Sequence, residues 1–385
     1  MLTLYFGFYF QLALIMRGRV PTQKDLKRTL MGIIISTMFL GSNAFTFSLF
    51  NCWIRVYATE TVFRMAAWRG LVRPIPYGQV LIFAISMTVI SYFYRAPKGK
   101  QDSMFGLLRF VVGPYEGSES VQNLEQSAVG KVAPSTSKRL SGSRLRSMTY
   151  LAVSAVCKAY YKFIKLIQGL GKHPTCPHPY SCIYYFGQST VKLFSMGYGL
   201  QVILKALMQM RRLIRKPSML PKILVHKNAF QLGAFFGAFS GIFKLTSCLL
   251  RWIRSKDSKY HAIPAGFLAG LAFGFYPDNT VALYVMWKSL QIIYNDTQQK
   301  GYAPELPGAV ILLYCFSTAI LFHAAVLEPQ NLRPSYWKFL QSLSGGRISA
   351  MDRRCLDAFG LGTSKALEEV LVKTRTHLVP FSELL

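Results

Sequence analysis

The stretch "LMGIIISTMFLGSNAFTFSLF" at 30–50 holds 21 residues without a charged side chain. A run of that length and apolarity is enough to cross a hydrocarbon core of about 30 Å as a helix. Further apolar runs follow at 77–94, 183–208, 229–250, 262–277, 279–294 and 306–327, with a shorter one at 2–16. Between them lie basic blocks such as "RGRVPTQKDLKR" and "RRLIRKPSMLPKILVHK". Of 385 residues 51% are hydrophobic and 16% charged, yet 45 Lys and Arg against 16 Asp and Glu leave a formal charge of +29. A nucleic-acid binder would carry such charge on a soluble fold, without membrane-length apolar runs. Lys and Arg beside membrane segments instead set orientation and attract anionic head groups. The expected partner is therefore a lipid bilayer with anionic head groups, and not nucleic acid. Basic sequence flanks 229–250 on both sides, so charge alone chooses no orientation for it.

These patterns predict an all-α fold: a multipass transmembrane helical protein with a disordered central linker. Five blocks are expected. Residues 1–113 form an N-terminal membrane region of about three hydrophobic segments. Residues 114–148, rich in Ser, Gly and charge, form the linker. Residues 149–228 are basic and amphipathic and contain a Cys/His-rich element; Lys158, Lys162 and Lys165 share one side of a helix at 149–168. Residues 229–327 form a second membrane unit whose short loops imply antiparallel neighbours. Residues 328–385 form a mixed tail with a helix at "SYWKFLQSL" and another near 352–372. Glu60 and Arg64, four apart, are expected to pair on the solvated face of an interfacial helix at 55–70. Asp278 is the expected cap of a helix over 279–294.

Two runs combine apolarity with regular glycine. "LGAFFGAFSG" places Gly233, Gly237 and Gly241 four apart, and "AGFLAGLAFG" places Gly266, Gly270 and Gly274 likewise. Glycine costs an exposed helix about 1 kcal/mol against alanine, so another term has to offset it. In lipid, small residues every fourth position let helix backbones approach, and van der Waals contact with Cα–H···O bonds offsets the entropy cost. Helix packing accounts for the ladders. The sharper alternative presses the two ladder helices face to face along a pathway lined by Lys244, Arg254 and Asp257. Lys244, four residues before Cys248, either faces a cavity or partner or snorkels to the interface.

The segment "GAFFGAFSG…CLLRWIRSKDSKYHAIPAGFLAGLAFG" resembles the core of the inner-membrane translocase (Tim) channel family of mitochondria. That pattern is a ladder helix, a short loop with Arg and Asp, matched here by Arg254 and Asp257, and "AG" opening a second ladder. Longer strings, "YATETVFRMAAWRG" (57–70), "LLRFVVG" (107–113), "FQLGAFFGAFSGIFKLTSCLLRWIR" (230–254), "HAIPAGFLAG" (261–270), "LEPQNLRPSYWKFL" (327–340) and "LDAFGLGTSK" (356–365), resemble the transmembrane protein 135 family, also called peroxisomal membrane protein 52. That resemblance implies a multipass protein of peroxisomal and mitochondrial membranes. The implied roles are peroxisome organisation, mitochondrial fission–fusion balance and lipid homeostasis, with organelle division machinery and self-association as expected partners. Family members open with a Cys/His-rich stretch not found here and carry more hydrophobic sequence before the "ATETVFR" block.

Seven cysteines, at 52, 157, 176, 182, 248, 315 and 355, are too sparse for a disulfide scaffold. "HPTCPHPYSC" gathers His173, Cys176, His178 and Cys182, whose thiolates and imidazoles are zinc ligands. Zinc fingers split their ligands between two elements, and four ligands within ten residues rarely wrap one ion unaided; a second cluster could complete such a site. Three readings stand: an unliganded loop, which is preferred, a structural zinc, and a Cys176–Cys182 redox pair. No nucleotide loop, nucleophile elbow, HExxH or pair of intramembrane carboxylates is found, so no enzyme and no cofactor other than that zinc are expected.

Overall fold

One uninterrupted helix, α1, runs Gln23–Trp68. The computed structural model describes residues 23–96, 103–117, 161–162, 164–169, 171, 173–210, 215, 227–358, 360 and 362–376. The apolar segment at 2–16, residues 118–148 of the expected linker and the expected basic helix up to residue 160 lie outside the described residues; the first residues of that linker are ordered instead, as a 3-10 turn at Pro114–Glu116 with Glu116 buried. Within α1 the expected span at 30–50 continues into the expected interfacial helix at 55–70. The reason is local: "FNCWIRV" contains no proline or glycine to break the ladder. Gly70, at φ +73°, ends the helix, with Leu71 N–H donating to the Ala66 carbonyl at 2.9 Å. Pro74 and Pro76 then prevent its continuation.

The described residues form only helices and turns, and the chain is an all-α multipass membrane protein. The remaining helices are α2 (Gly78–Arg95), α3 (Ser103–Val112), α4 (Cys182–Met208), α5 (Lys227–Arg254), α6 (Ala262–Leu271), α7 (Asn279–Gln299), α8 (Ala309–Leu327), α9 (Pro334–Leu343) and α10 (Thr363–Thr374). Four of them, α2, α4, α5 and α8, are long and apolar enough to cross a membrane. On α4, Ile183, Val191, Leu200, Ile203 and Leu207 are exposed, a row of large apolar side chains suited to acyl chains.

Two expected spans fall short. The run at 262–277 folds as the 10-residue α6 followed by a short 3-10 turn, Ala272–Phe275. At about 1.5 Å per residue, α6 covers about half of a hydrocarbon core. Pro277 follows the 3-10 turn, and Asp278 then caps the next helix: its Oδ1 accepts from Thr280 N–H at 2.7 Å and Val281 N–H at 3.1 Å, opening α7 as expected. Helix α7 is long enough, but Lys288, Gln291, Asn295 and Asp296 keep it off the apolar group.

The chain divides into two compact units, not into consecutive blocks. The first joins 1–73 to 306–385, and the second is 74–305. The expected membrane unit at 229–327 is therefore shared out: α5, α6 and α7 join α2, α3 and α4, whereas α8 packs on α1.

In the first unit Ile54 and Ala58 of α1 meet Leu321, Ala324 and Ala325 of α8, with Trp337, Leu340, Leu367 and Val370 closing the core. Buried Arg353 donates to the Ala325, Val326 and Ile348 carbonyls at 3.2, 3.1 and 3.1 Å, satisfying the free C-terminal end of α8. The Glu60–Arg64 pair forms at 2.6 Å, but Glu60 is buried rather than solvated, and Arg333 also approaches it at 3.7 Å. In the second unit Phe83 stacks on Phe273 with centroids 4.2 Å apart, and Phe235 and Phe239 meet the stack edge-on.

Candidate functional site

The glycine ladders position the second unit's interior, and they face different helices. Gly233, Gly237 and Gly241 of α5 lie against α4: a Cβ on Gly237 would stand 3.0 Å from both Phe194 Cβ and the Thr190 carbonyl. One on Gly241 would stand 2.5 Å from Thr190 Oγ1. From the α4 side, a Cβ on Gly197 would stand 3.0 Å from the Leu232 carbonyl oxygen and 3.2 Å from Gly233 Cα. Gly266 and Gly270 of α6 face α2 instead, and a Cβ on Gly270 would reach Ala84 Cα at 2.5 Å. A Cβ on Gly274, in the 3-10 turn, would meet nothing within 4 Å, so this glycine is no packing residue. The ladders are thus packing surfaces. The two ladder helices do pack on each other, but not stripe to stripe, because each glycine stripe is already occupied by a different partner.

That packing holds a set of buried charges. Glu116, in the turn after α3, has a fully enclosed side chain and takes both Arg95 and Arg251. Arg251 is bidentate on it, Nη1 to Oε1 at 2.9 Å and Nη2 to Oε2 at 2.7 Å. Arg251 Nε also donates to Asp257 Oδ1 at 3.0 Å, and Arg95 donates to the Ser258 carbonyl at 3.3 Å. Burial by itself would raise the Glu116 carboxyl. The guanidinium groups of Arg95 and then Arg251 outweigh it and hold the carboxyl below its ordinary range. Two guanidinium groups face two carboxylates, so the network is neutral as a whole. His261 is enclosed beside it, 4.0 Å from Asp257 Oδ1, and neither ring nitrogen has a hydrogen-bond partner. Burial and Arg95 lower its pKa, so it is a neutral imidazole near pH 7.

Of the three polar residues singled out from sequence, Asp257 joins this network. Arg254 is exposed and stands outside it; Arg251, nearly one turn earlier, is the residue that turns inward. Lys244 is 6% exposed, so it does not snorkel to an interface. Its ammonium donates to Ser189 Oγ at 2.5 Å and lies 4.1 Å from the centroid of the Tyr185 ring. Ser189 bonds Ser240 at 2.8 Å, and Ser240 donates to the Val111 carbonyl at 2.8 Å. This polar seam ties α4, α5 and α3 together inside two membrane-length helices.

The Cys/His-rich loop ends at α4. Ser181 caps that helix, accepting from Tyr184 N–H at 3.2 Å. Cys176, His178 and Cys182 come together, but His173 does not join them. Its Nδ1 lies 2.6 Å from Thr175 Oγ1, and its ring turns toward Trp252. Cys248 of α5 takes the fourth place, and the donor atoms of Cys176, His178, Cys182 and Cys248 all lie within 4.8 Å of one another. A hydrogen bond from Cys248 leads the effects that pull the Cys176 thiol down to about 4, against its burial. The His178 ring stacks on Tyr185 at 4.6 Å, which links the cluster to the seat of Lys244.

Sequence reasoning missed Arg95, Glu116, Arg251 and Cys248. The weak signals were present: an arginine ending an apolar run, a Glu at the very start of the expected linker, and Cys and Arg three residues apart in α5. No solved structure matches the chain. Over residues 182–285, which comprise α4, α5, α6 and the start of α7, the chain is similar to the Tim17/Tim22/Tim23/Pmp24 family.

Proposed function

We propose that the 74–305 unit is a translocase-like membrane module. Through it the chain governs peroxisome organisation and mitochondrial fission–fusion balance, with consequences for lipid homeostasis. Lys244 carries the reading. It is an ammonium group held inside two membrane-length helices, on a hydroxyl and an aromatic face, and no carboxylate among the described residues pairs with it. Such a group is expensive in a membrane and by default marks a pathway or a recognition point. The family similarity over the same helices supports a translocase-like role, and the resemblance strings, which fall on packed segments of both units, support the organelle assignment. The partners we assign are anionic head groups at the basic flanks, division machinery and a second copy of the chain. The alternative, passage of a small molecule or lipid, rests on the same lysine.

The test is rescue of knockout cells, scored by peroxisome number and mitochondrial length. Lys244→Met keeps the volume and removes the charge. It should insert and localise as the wild type does and fail to rescue. Full rescue by Lys244→Met would remove the lysine as the working group and with it this reading.

A further inference from the structure

We propose that Cys176, His178, Cys182 and Cys248 form a structural zinc site that clasps the start of α4 to the end of α5. The inference is independent of the function proposed above.

Geometry is the first argument. In a tetrahedron with Zn–S of about 2.3 Å and Zn–N of about 2.0–2.1 Å, two sulfurs stand about 3.8 Å apart and a sulfur and a nitrogen about 3.6 Å. Cys176 and Cys182 Sγ are 3.9 Å apart, and Cys248 Sγ is 3.6 Å from His178 Nε2. The donors already stand near the corners such an ion requires.

The second argument is the state of the histidine. His178 Nδ1 lies 2.6 Å from the Tyr180 carbonyl oxygen. A carbonyl only accepts, so Nδ1 carries the proton, and in the neutral ring Nε2 presents its lone pair toward the three sulfurs. This is the outer hydrogen bond that fixes the tautomer and orientation of metal-binding histidines. The ring is held in place by its stack on Tyr185, and the imidazole is fully buried.

The third argument is chain architecture and charge. Cys176 and His178 sit in a loop stiffened by Pro174, Pro177 and Pro179, Cys182 opens α4 directly after it, and the fourth ligand arrives from a separate helix, α5. That division between two elements is how closed structural sites wrap an ion. Three thiolates, one imidazole and Zn2+ carry one net negative charge. Lys244, Cys248 and Arg251 are spaced four and three apart in α5, so two cationic residues flank that charge on one helix face. The soft donors select zinc over oxygen-loving cations, and a complete set of four leaves no open position for catalysis. Loading the site replaces the thiol protons with the ion and changes no oxidation state.

The experiment uses the full chain purified in detergent. Metal content is measured by mass spectrometry, and Co2+ replaces Zn2+ as a spectroscopic probe. The wild type is expected to hold about one zinc per chain, and its cobalt form to show sulfur-to-cobalt charge transfer with tetrahedral visible bands. Cys248→Ser should lose the metal, His173→Ala should keep it, and His178→Cys, which keeps four donors, should bind cobalt with stronger charge transfer. A metal-free wild type that does not take up cobalt overturns the proposal, as does a native Cys176–Cys182 disulfide found by peptide mapping. Retention of zinc in Cys248→Ser with loss in His173→Ala overturns the ligand set. Should Cys248→Ser fail to fold, the His178→Cys spectrum and the metal content of His173→Ala still decide.

Discussion

Arg251 and Glu116 are 135 residues apart in sequence and joined by two parallel hydrogen bonds, at 2.9 and 2.7 Å, with both side chains enclosed. The arginine belongs to the ladder helix α5 and the glutamate to the turn after α3. The pair therefore ties a turn at the start of the expected linker to the helix that carries Lys244 and Cys248.

Breaking that pair should cost far more than any surface ion pair. Arg251→Met leaves Glu116 enclosed with Arg95 as its remaining cation, and removal of one partner of a buried pair costs about 3–5 kcal/mol. Arg251→Lys should recover only part of the loss, since a single ammonium cannot reproduce the fork. Pairing Arg251→Met with Glu116→Gln should cost less than the sum of the two single changes. Thermal unfolding in detergent measures all four variants, and strictly additive losses would show that the two side chains are not coupled.

Acid should weaken the same network. The Glu116 carboxyl is held below its ordinary value of 4.5 in the folded chain. A depressed carboxyl contributes stability that is complete above its unfolded pKa and disappears as pH falls through its folded one. The wild type should therefore keep this contribution down to about pH 5 and lose it below. Glu116→Gln should be less stable at neutral pH and change less on acidification. Parallel pH profiles for the two proteins would contradict the assignment.

Glycines of the second ladder should differ in their response to a single methyl group. Gly270→Ala sets a Cβ against the Ala84 backbone, where nothing flexible can yield, and an overpacked contact costs about 1–3 kcal/mol. Gly274→Ala meets open space and should be neutral or slightly stabilising. Equal melting shifts for the two would mean that α6 does not approach α2 as closely as described.

In the first unit Arg353 serves backbone rather than charge. Arg353→Leu should orphan the Ala325 and Val326 carbonyls and expose one face of Trp337, over which the guanidinium lies. Each buried acceptor left without a donor costs about 1–3 kcal/mol. Limited proteolysis of the 306–376 region should become faster than in the wild type, and an unchanged cleavage rate would argue against this role.

Apolar run length was enough to place α2, α4, α5 and α8, because a membrane-length hydrophobic segment has few other ways to satisfy its backbone. Glycine spacing marked both packing stripes, and Asp278 announced its own cap, because these effects act within a turn or two of the chain. Run length misled on helix bounds: α6 gives way at Leu271 to a 3-10 turn that ends before Pro277, and α1 runs on through "FNCWIRV".

What the sequence by itself determined is the all-α membrane character, the positions of most helices and the small-residue faces through which they pack. Which helix fills each glycine stripe, which arginine turns inward and which cysteine completes the cluster were decided only by the tertiary structure. Those outcomes depend on pairs such as Glu116 with Arg251, or Cys176 with Cys248. No local periodicity encodes them, because the energy of a buried charge or thiol is set by what faces it across the interior rather than by its neighbours along the chain.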